Sequence, residues 1–358
     1  MLQPRVESAL DSQPVARALA KVVEEDGFKT VFVLRLAPVL PMPLGAYSYV
    51  YGASKLSWLP FAAETWGPAV RRKRALQAGQ VAGAAGAPTV FAALPGHATA
   101  QREALEAVAG ELSAGEQGFS SRRGRAGEGA LEVSLPDGTS VSWEGDAAGD
   151  RSGVTGGLGP LSVAALCVEE DLALMAQLES AGPYCLVAAH VCTSFGGLSD
   201  RMGRGLTALH DPVPGYRADI GAPMQALFER MRPDGPALWR TNWGIQYDSD
   251  PDPAEGDRRP TQEELLERFA RDGLGDSAWL RVEFQNLRKL PQSGSVLFTI
   301  RTYIEPLGNC QLEGGAAACN LAKNIRALSP GMMAYKGLQE EGVREAVLRY
   351  LDGGSRVA

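Results

Sequence analysis

The sequence predicts an α+β fold in which helices flank an antiparallel sheet. Two strand-like runs, Trp279 to Leu290 and Ser295 to Glu305, are joined by the residues PQSG, which have the length and chemistry of a hairpin connection. A second hairpin is predicted around Asp137 and Gly138 in the alternating run ALEVSLPDGTSVSWEG, because this dipeptide favours a type I′ turn. Apolar residues recur at helical spacing from Gln101 to Leu112. Separate strand pairs and helices of this kind indicate α+β.

The central part of the chain supplies further elements. LSVAALCVEEDLALMAQLES, which begins at Leu161, has apolar residues at helical spacing, so we interpret it as a helix interrupted by acidic residues. PYCLVAAHVCTSF, which follows, is typical of a mostly buried strand. Later helices are predicted at Ala222 to Met231, after the capping-box pair Thr261 and Glu264, at Ala317 to Leu328 and at Gly342 to Leu351.

Composition and charge exclude several classes of function. The 358 residues carry 35 Lys and Arg against 42 Asp and Glu, a net charge of -7, which disfavours nucleic acid as a partner because phosphate binding needs a basic surface. The five cysteines include no CxxC pair, so we expect neither a disulfide framework nor a zinc site. The sequence has no secretory signal and no run of eighteen apolar residues. We therefore expect a soluble, intracellular protein, in the cytoplasm or an organelle.

A short apolar segment near the N-terminus resembles a different family from the rest of the chain. It resembles the characteristic loop of the DedA-like, SNARE-associated Golgi protein family over roughly residues 28–70, through Arg35, Pro38, Pro41, Tyr49 and Gly52. This resemblance implies membrane association. The basic run that follows, Arg71 to Arg74, is interpreted as a solvated face.

Long polar side chains alternate along one predicted strand. In LRVEFQNLRKL, Arg281, Glu283 and Gln285 share one face because successive residues of a strand point to opposite sides. The pattern alone leaves open whether this face is solvated, as in many antiparallel sheets, or lines a site. Arg240 and Asn242, in the segment RTNW, belong either to the same constellation or to a loop anchored by a buried tryptophan.

One of the three histidines is a candidate ligand. His210 precedes Asp211, Pro212 and Pro214, and the prolines stiffen the backbone around it. Imidazole is the commonest metal ligand, although a single histidine is also often a hydrogen-bonded structural residue. His190 lies within an apolar strand pattern and is interpreted as a core residue.

Five segments together resemble a known family. CVEEDLALM, ALHDPVPGY, RTNW, LRVEFQNLRKLP and SVLFTIRTY occur in the order and spacing of the heme-dependent oxidative N-demethylase alpha-subunit-like family. The resemblance implies a PAS-like fold that holds heme b and its iron, with electrons from a separate NAD(P)H-dependent reductase. It also implies a monooxygenase that uses oxygen to remove a methyl group from a small secondary amine, releasing formaldehyde.

The resemblance also divides the chain. We expect an N-terminal segment at residues 1–75, a linker at 76–93, the heme-dependent domain at 94–330, and a C-terminal helix and tail at 331–358.

Roles for individual residues follow from the same resemblance. His210 corresponds to the axial ligand of the heme iron, and Glu283 would orient a cationic amine or relay protons to bound oxygen. Guanidinium groups bind carboxylates in a bidentate manner, so the residues expected to pair with heme propionates are Arg240, Arg281 and Arg301. Asn242 is expected in the catalytic group with Glu283 and Arg240. A heme or PAS-type sensor that binds a ligand without turnover remains an alternative, as does a membrane-associated DedA-like protein.

Overall fold

The computed structural model describes residues 63–114, 118–123, 131–143, 159–179, 182–193, 197–252, 259–311 and 315–353. The five residues of the DedA-like motif lie outside these ranges. Within them, no helix is both long enough and apolar enough to cross a membrane.

The strands form two antiparallel sheets. In chain order they are β1 (Phe91–Ala93), β2 (Ser120–Arg123), β3 (Leu131–Ser134), β4 (Ser140–Trp143), β5 (Asp171–Gln177), β6 (Tyr184–His190), β7 (Leu238–Gln246), β8 (Trp279–Lys289) and β9 (Val296–Pro306). The main sheet has the order β1-β6-β5-β9-β8-β7, and the smaller sheet has the order β2-β3-β4.

Helices pack on both faces of the main sheet. They are α1 (Ala63–Val81), α2 (Ala98–Ala114), α3 (Pro160–Ala165), α4 (Leu198–Arg201), α5 (Leu206–Leu209), α6 (Gly221–Arg230), α7 (Gln262–Asp272), α8 (Leu274–Ser277), α9 (Ala316–Arg326), α10 (Pro330–Tyr335) and α11 (Glu341–Leu351). A π-helical turn, Tyr216–Ile220, precedes α6, and a 3-10 turn, Leu307–Gln311, follows β9. The mixture of helices with antiparallel sheets confirms the α+β class.

Local sequence signals are confirmed where turn and cap chemistry is strong. β8 and β9 pair over their full lengths as a hairpin. The predicted hairpin between β3 and β4 is present, but its turn is not type I′: Gly138 N donates to Leu135 O at 3.0 Å, so Pro136 and Asp137 are the central residues. Gly138 follows them with a φ of 80°, a conformation that glycine adopts without steric cost. Thr261 caps α7, since its hydroxyl accepts from Glu264 N at 3.3 Å and the Glu264 carboxylate accepts from Thr261 N at 2.7 Å.

The helix predicted from Leu161 to Ser180 is wrong. Helix α3 ends at Ala165, and the acidic residues lead into strand β5. Leu172 and Leu174 pack into one core, whereas Ala173 and Met175 pack into another on the opposite face of the sheet. A strand that is buried on both faces has a continuous apolar sequence, which periodicity alone cannot distinguish from a buried helix.

The basic run at residues 71–74 is only partly solvated. Arg71 is exposed, but Lys73 is 2% exposed. The Lys73 ammonium donates to the carbonyl oxygens of Glu170 and Ala165. The interpretation of the whole run as a solvated face is therefore wrong. Helical geometry turns the third residue of the run toward the sheet.

Apolar residues from both ends of the described chain belong to the cores. Trp66 of α1 is buried and donates from Nε1 to Cys167 O at 2.8 Å. Val343 and Val347 of α11 are buried in a third core, beside Leu280 and Val282 of β8. These helices lie outside the expected boundaries at residues 94 and 330, and they pack on the same sheet.

Replacing Lys73 tests the contribution of this buried ammonium. Lys73→Met keeps an unbranched side chain, one atom shorter, but removes the positive charge near Glu170 and Asp171. We expect the free energy of unfolding to fall by about 3 kcal/mol, because breaking a buried charged contact leaves its partners uncompensated. Urea denaturation measures the change. The matched variant Arg71→Met should change stability by less than about 0.5 kcal/mol; equal losses in the two variants would contradict the assigned role of Lys73.

Candidate functional site

The register between β7 and β8 gathers five polar side chains on one face of the main sheet. Directly opposed residues of an antiparallel pair project to the same side. Arg240 pairs with Gln285, and Asn242 pairs with Glu283. Arg281 lies two residues before Glu283 and shares its face. Of the alternatives open for RTNW, the structure has a strand rather than a loop.

Glu283 lies at the centre of this polar face. Its carboxylate accepts from Arg281 Nε at 3.1 Å, Gln285 Nε2 at 2.9 Å and Asn242 Nδ2 at 3.4 Å. Burial alone raises the pKa of Glu283, but the Arg281 charge and these hydrogen bonds outweigh it, so the pKa lies below its usual value. The carboxylate is therefore ionised at neutral pH.

Arginine side chains bracket Glu283 and are themselves held in place. Arg281 donates from Nη1 to Pro251 O at 2.9 Å, which fixes the guanidinium on its far side. Arg240 donates from Nε to Gln285 Oε1 at 2.6 Å. Each contact restrains a long side chain that would otherwise sample many rotamers.

His210 lies near Arg240 at the C-terminal end of α5. Its Nδ1 lies 2.8 Å from Leu206 O, and its ring stacks on Tyr216 with centroids 4.3 Å apart and planes 7° apart. Burial is the main cause that lowers the pKa of His210, and the nearby charge of Arg240 lowers it further. The imidazole is therefore neutral at pH 7.

The contact to Leu206 fixes the tautomer of His210. A carbonyl oxygen can only accept, so Nδ1 carries the hydrogen and Nε2 carries the lone pair. Within the part of the chain that the structure describes, Nε2 has no hydrogen-bond partner. This arrangement, with one ring nitrogen bound to a backbone carbonyl and the other free, is the usual one for a metal-ligating histidine.

A segment after α10 closes one side of the site. Lys336 O accepts from Ile245 N at 2.9 Å, which docks the segment on the edge strand β7. Gly337 has a φ of 81°, and a Cβ there would overlap the carbonyl oxygen of Ile245. Only glycine permits this close approach. The docking brings Tyr335 and Lys336 beside the polar face.

Lys336 is a member of the site that the sequence prediction did not include. Its ammonium donates to Asn242 Oδ1 and Trp243 O, both at 2.5 Å. It also lies 5.1 Å from the ring centre of Trp243 and 5.5 Å from that of Tyr335. No helix was predicted at residues 330–335, although Pro330, next to the capping residue Ser329, is a sequence signal for the start of one. No sequence signal indicated which strand that helix would contact.

The polar face, the prolines after His210 and the α10 segment enclose a pocket of about 590 Å³. This volume is in the usual range for a small-molecule site. The lining residues that carry its chemistry are Asn242, Trp243, Arg281, Glu283, Tyr335 and Lys336. No group of three or more His, Cys, Asp or Glu side chains suited to a metal ion occurs in the described ranges.

Arg301 is not brought together with the other predicted residues. It pairs with Phe284 across β8 and β9, so it projects to the face opposite Glu283. Arg301 is 3% exposed and forms ion pairs with Glu169 and, at 3.8 Å, with Glu170. His190, by contrast, is fully buried, as predicted, and its Nε2 lies 2.5 Å from Gln77 Oε1.

Comparison with known proteins shows which family the chain belongs to. No curated protein matches it. The sequence profile described as "Haem-dependent oxidative N-demethylase, alpha subunit-like" matches residues 58–348. This range includes α1, the main sheet and every residue that lines the pocket. The chain therefore belongs to the heme-dependent oxidative N-demethylase, alpha subunit-like family.

Proposed function

We propose that this protein is a heme-dependent oxidative N-demethylase that acts on a small secondary amine. One oxygen molecule, two electrons and two protons convert the N-methyl amine to the demethylated amine, formaldehyde and water. The electrons come from a separate NAD(P)H-dependent reductase. The observation that carries the proposal is the family match over residues 58–348, which contains the whole polar pocket.

The donor chemistry around His210 fits a heme group. His210 would ligate the iron through Nε2, because Leu206 O already holds the Nδ1 hydrogen. The charges of Arg240 and Arg201 both lower the pKa of His210, with Arg240 having the larger effect of the two, and guanidinium groups suit propionate carboxylates. When bound, the heme supplies the oxygen-activating redox chemistry. Arg281, on the same face as Arg240, would be a second propionate partner.

The main sheet and its helices support a PAS-like fold as the scaffold for this site. β5 to β9 form a continuous antiparallel sheet, and α4, α5 and α6 fall between β6 and β7 in the chain. These inserted helices carry His210 to the face of the sheet that bears Glu283. The heme would lie between the inserted helices and the sheet.

Glu283 would bind and orient the amine. Its ionised carboxylate attracts a protonated amine, while Arg281 and Gln285 hold the carboxylate in one orientation. The rings of Trp243 and Tyr335 already accommodate one ammonium group, that of Lys336. Aromatic faces attract cations in general. The pocket therefore combines a carboxylate with aromatic rings, which is a chemistry suited to small alkylamines.

Removing the imidazole of His210 tests the proposed iron ligand. We expect His210→Ala to reduce heme affinity about 100-fold and to shift the Soret band, because the proposed iron ligand would be removed. Heme titration followed by absorption spectroscopy measures both effects. His97→Ala is the matched control, since His97 lies at the start of α2 and lines a different pocket from Glu283, and it should leave affinity and spectrum unchanged. Normal heme binding by His210→Ala would refute this choice of ligand.

Neutralising Glu283 tests its role toward the amine. We expect Glu283→Gln to lower kcat/KM for dimethylamine about 100-fold, since a positioned carboxylate typically contributes a factor of this size. Formaldehyde release in the presence of a suitable reductase measures turnover. The Soret band should remain normal, and the exposed matched variant Glu305→Gln should keep full activity. Wild-type protein that binds heme but releases no formaldehyde would favour a heme sensor instead.

A further inference from the structure

A second pocket lies at the opposite end of the main sheet. It encloses about 640 Å³ where the β8–β9 hairpin meets β5, β6 and the start of α2. Lys289 and Arg281 are eight residues apart on β8, which corresponds to about 26 Å at the rise of an extended strand. The second pocket is therefore separate from the one that contains Glu283.

A lysine and a tyrosine form the chemical centre of this pocket. Lys289 Nζ donates to the hydroxyl oxygen of Tyr184 and lies 3.4 Å from Phe228 O. A lysine ammonium has three hydrogens, so one remains available. The Tyr184 oxygen accepts from Lys289, which leaves its own hydrogen to be donated elsewhere.

No acceptor for that hydrogen occurs among the residues that the structure describes. Tyr184 is only 3% exposed, so bulk water does not readily satisfy its hydroxyl. A buried polar hydrogen without a partner is unfavourable because it has lost its hydrogen bonds to water. The pair thus presents two hydrogen-bond donors, one of them cationic, to the same pocket.

The other polar groups of the pocket are compatible with an acceptor ligand. His97 and Thr99 lie at the first turn of α2, whose free backbone N–H groups carry partial positive charge. Burial lowers the pKa of His97, so the ring is neutral at pH 7. The Glu103 carboxylate accepts from Gln292 N at 2.5 Å and from Ser293 N at 2.8 Å. Its negative charge is therefore partly compensated by these N–H groups of the β8–β9 connection.

One carboxylate at the pocket limits what the ligand can be. Glu179 lines the pocket together with Lys289 and Tyr184. Its negative charge opposes an anion large enough to reach it. The charges of the pocket therefore favour a small ligand whose acidic group binds at the lysine–tyrosine pair.

We propose that this second pocket binds a small organic oxyanion, a carboxylate or a phosphate ester, through Lys289 Nζ and the Tyr184 hydroxyl. The site does not depend on heme or on amine turnover. Its ligand would occupy the two donors and bridge β6 to the end of β8.

Calorimetric titration with two probes tests this site. Sodium acetate and sodium phosphate are titrated separately into the full-length protein, with ionic strength held constant by sodium chloride. We expect at least one probe to bind, and Tyr184→Phe and Lys289→Gln each to weaken that binding about tenfold or more, the usual effect of losing a charge-assisted hydrogen bond. Preferential binding of acetate identifies a carboxylate ligand, and preferential binding of phosphate identifies a phosphate ester.

Control variants distinguish binding at this site from nonspecific attraction of anions to the protein surface. Lys323→Gln makes the same chemical change at an exposed lysine of α9 and should leave binding unchanged. Tyr184→Phe removes a single oxygen and keeps the ring against Phe228, whose centroid lies 5.3 Å away. If Lys289→Gln fails to fold, the anion binding of Tyr184→Phe is therefore sufficient to test the site. Absence of binding by both probes at millimolar concentration, or equal binding by wild type and Tyr184→Phe, would overturn the proposal.

Discussion

The register of β7 against β8 positions Asn242 opposite Glu283 and Arg240 opposite Gln285, and the whole pocket depends on it. Side chains alternate along a strand, so a slip of one residue would send these polar groups into the core and bring apolar residues to the pocket. Val282 and Phe284 point to the opposite face of β8 and are buried there. Because a slip of one residue would expose them, their burial fixes the register. Burial of one face thus specifies the chemistry of the other.

Charge within the pocket is balanced by short-range contacts. The Glu283 carboxylate is surrounded by donors, and each cation near it has an oxygen partner of its own, such as Pro251 O for Arg281 and Asn242 Oδ1 for Lys336. Such a network is rigid because every member is satisfied. Outside this network, the neutral imidazole of His210 has an available lone pair on Nε2, because its Nδ1 hydrogen is donated to Leu206 O.

Much of the fold could be predicted from the sequence because its signals are local. The hairpin turns and the Thr261 cap follow from residues close together in the chain. The strand face of Arg281, Glu283 and Gln285 follows from simple alternation. His210 was indicated by its own residue type and the stiff backbone after it.

The remaining features depend on contacts between distant segments. Strand β5 was mistaken for a helix because both of its faces are buried. Lys73 was expected in solvent, but α1 packs on the sheet through residues that only the tertiary structure brings near Glu170. Arg301 was grouped with the other arginines by its type, yet alternation along β9 sends it to the opposite face. Lys336 joins the site because the chain after α10 docks on an edge strand.

The central claim is that the face of the sheet bearing Glu283 holds heme through the histidine of the inserted helices. An absorption spectrum of the full-length protein after heme reconstitution, oxidised and then reduced, tests this claim most directly. The account predicts a stoichiometric Soret band that shifts on reduction. A spectrum that remains that of free heme would contradict it.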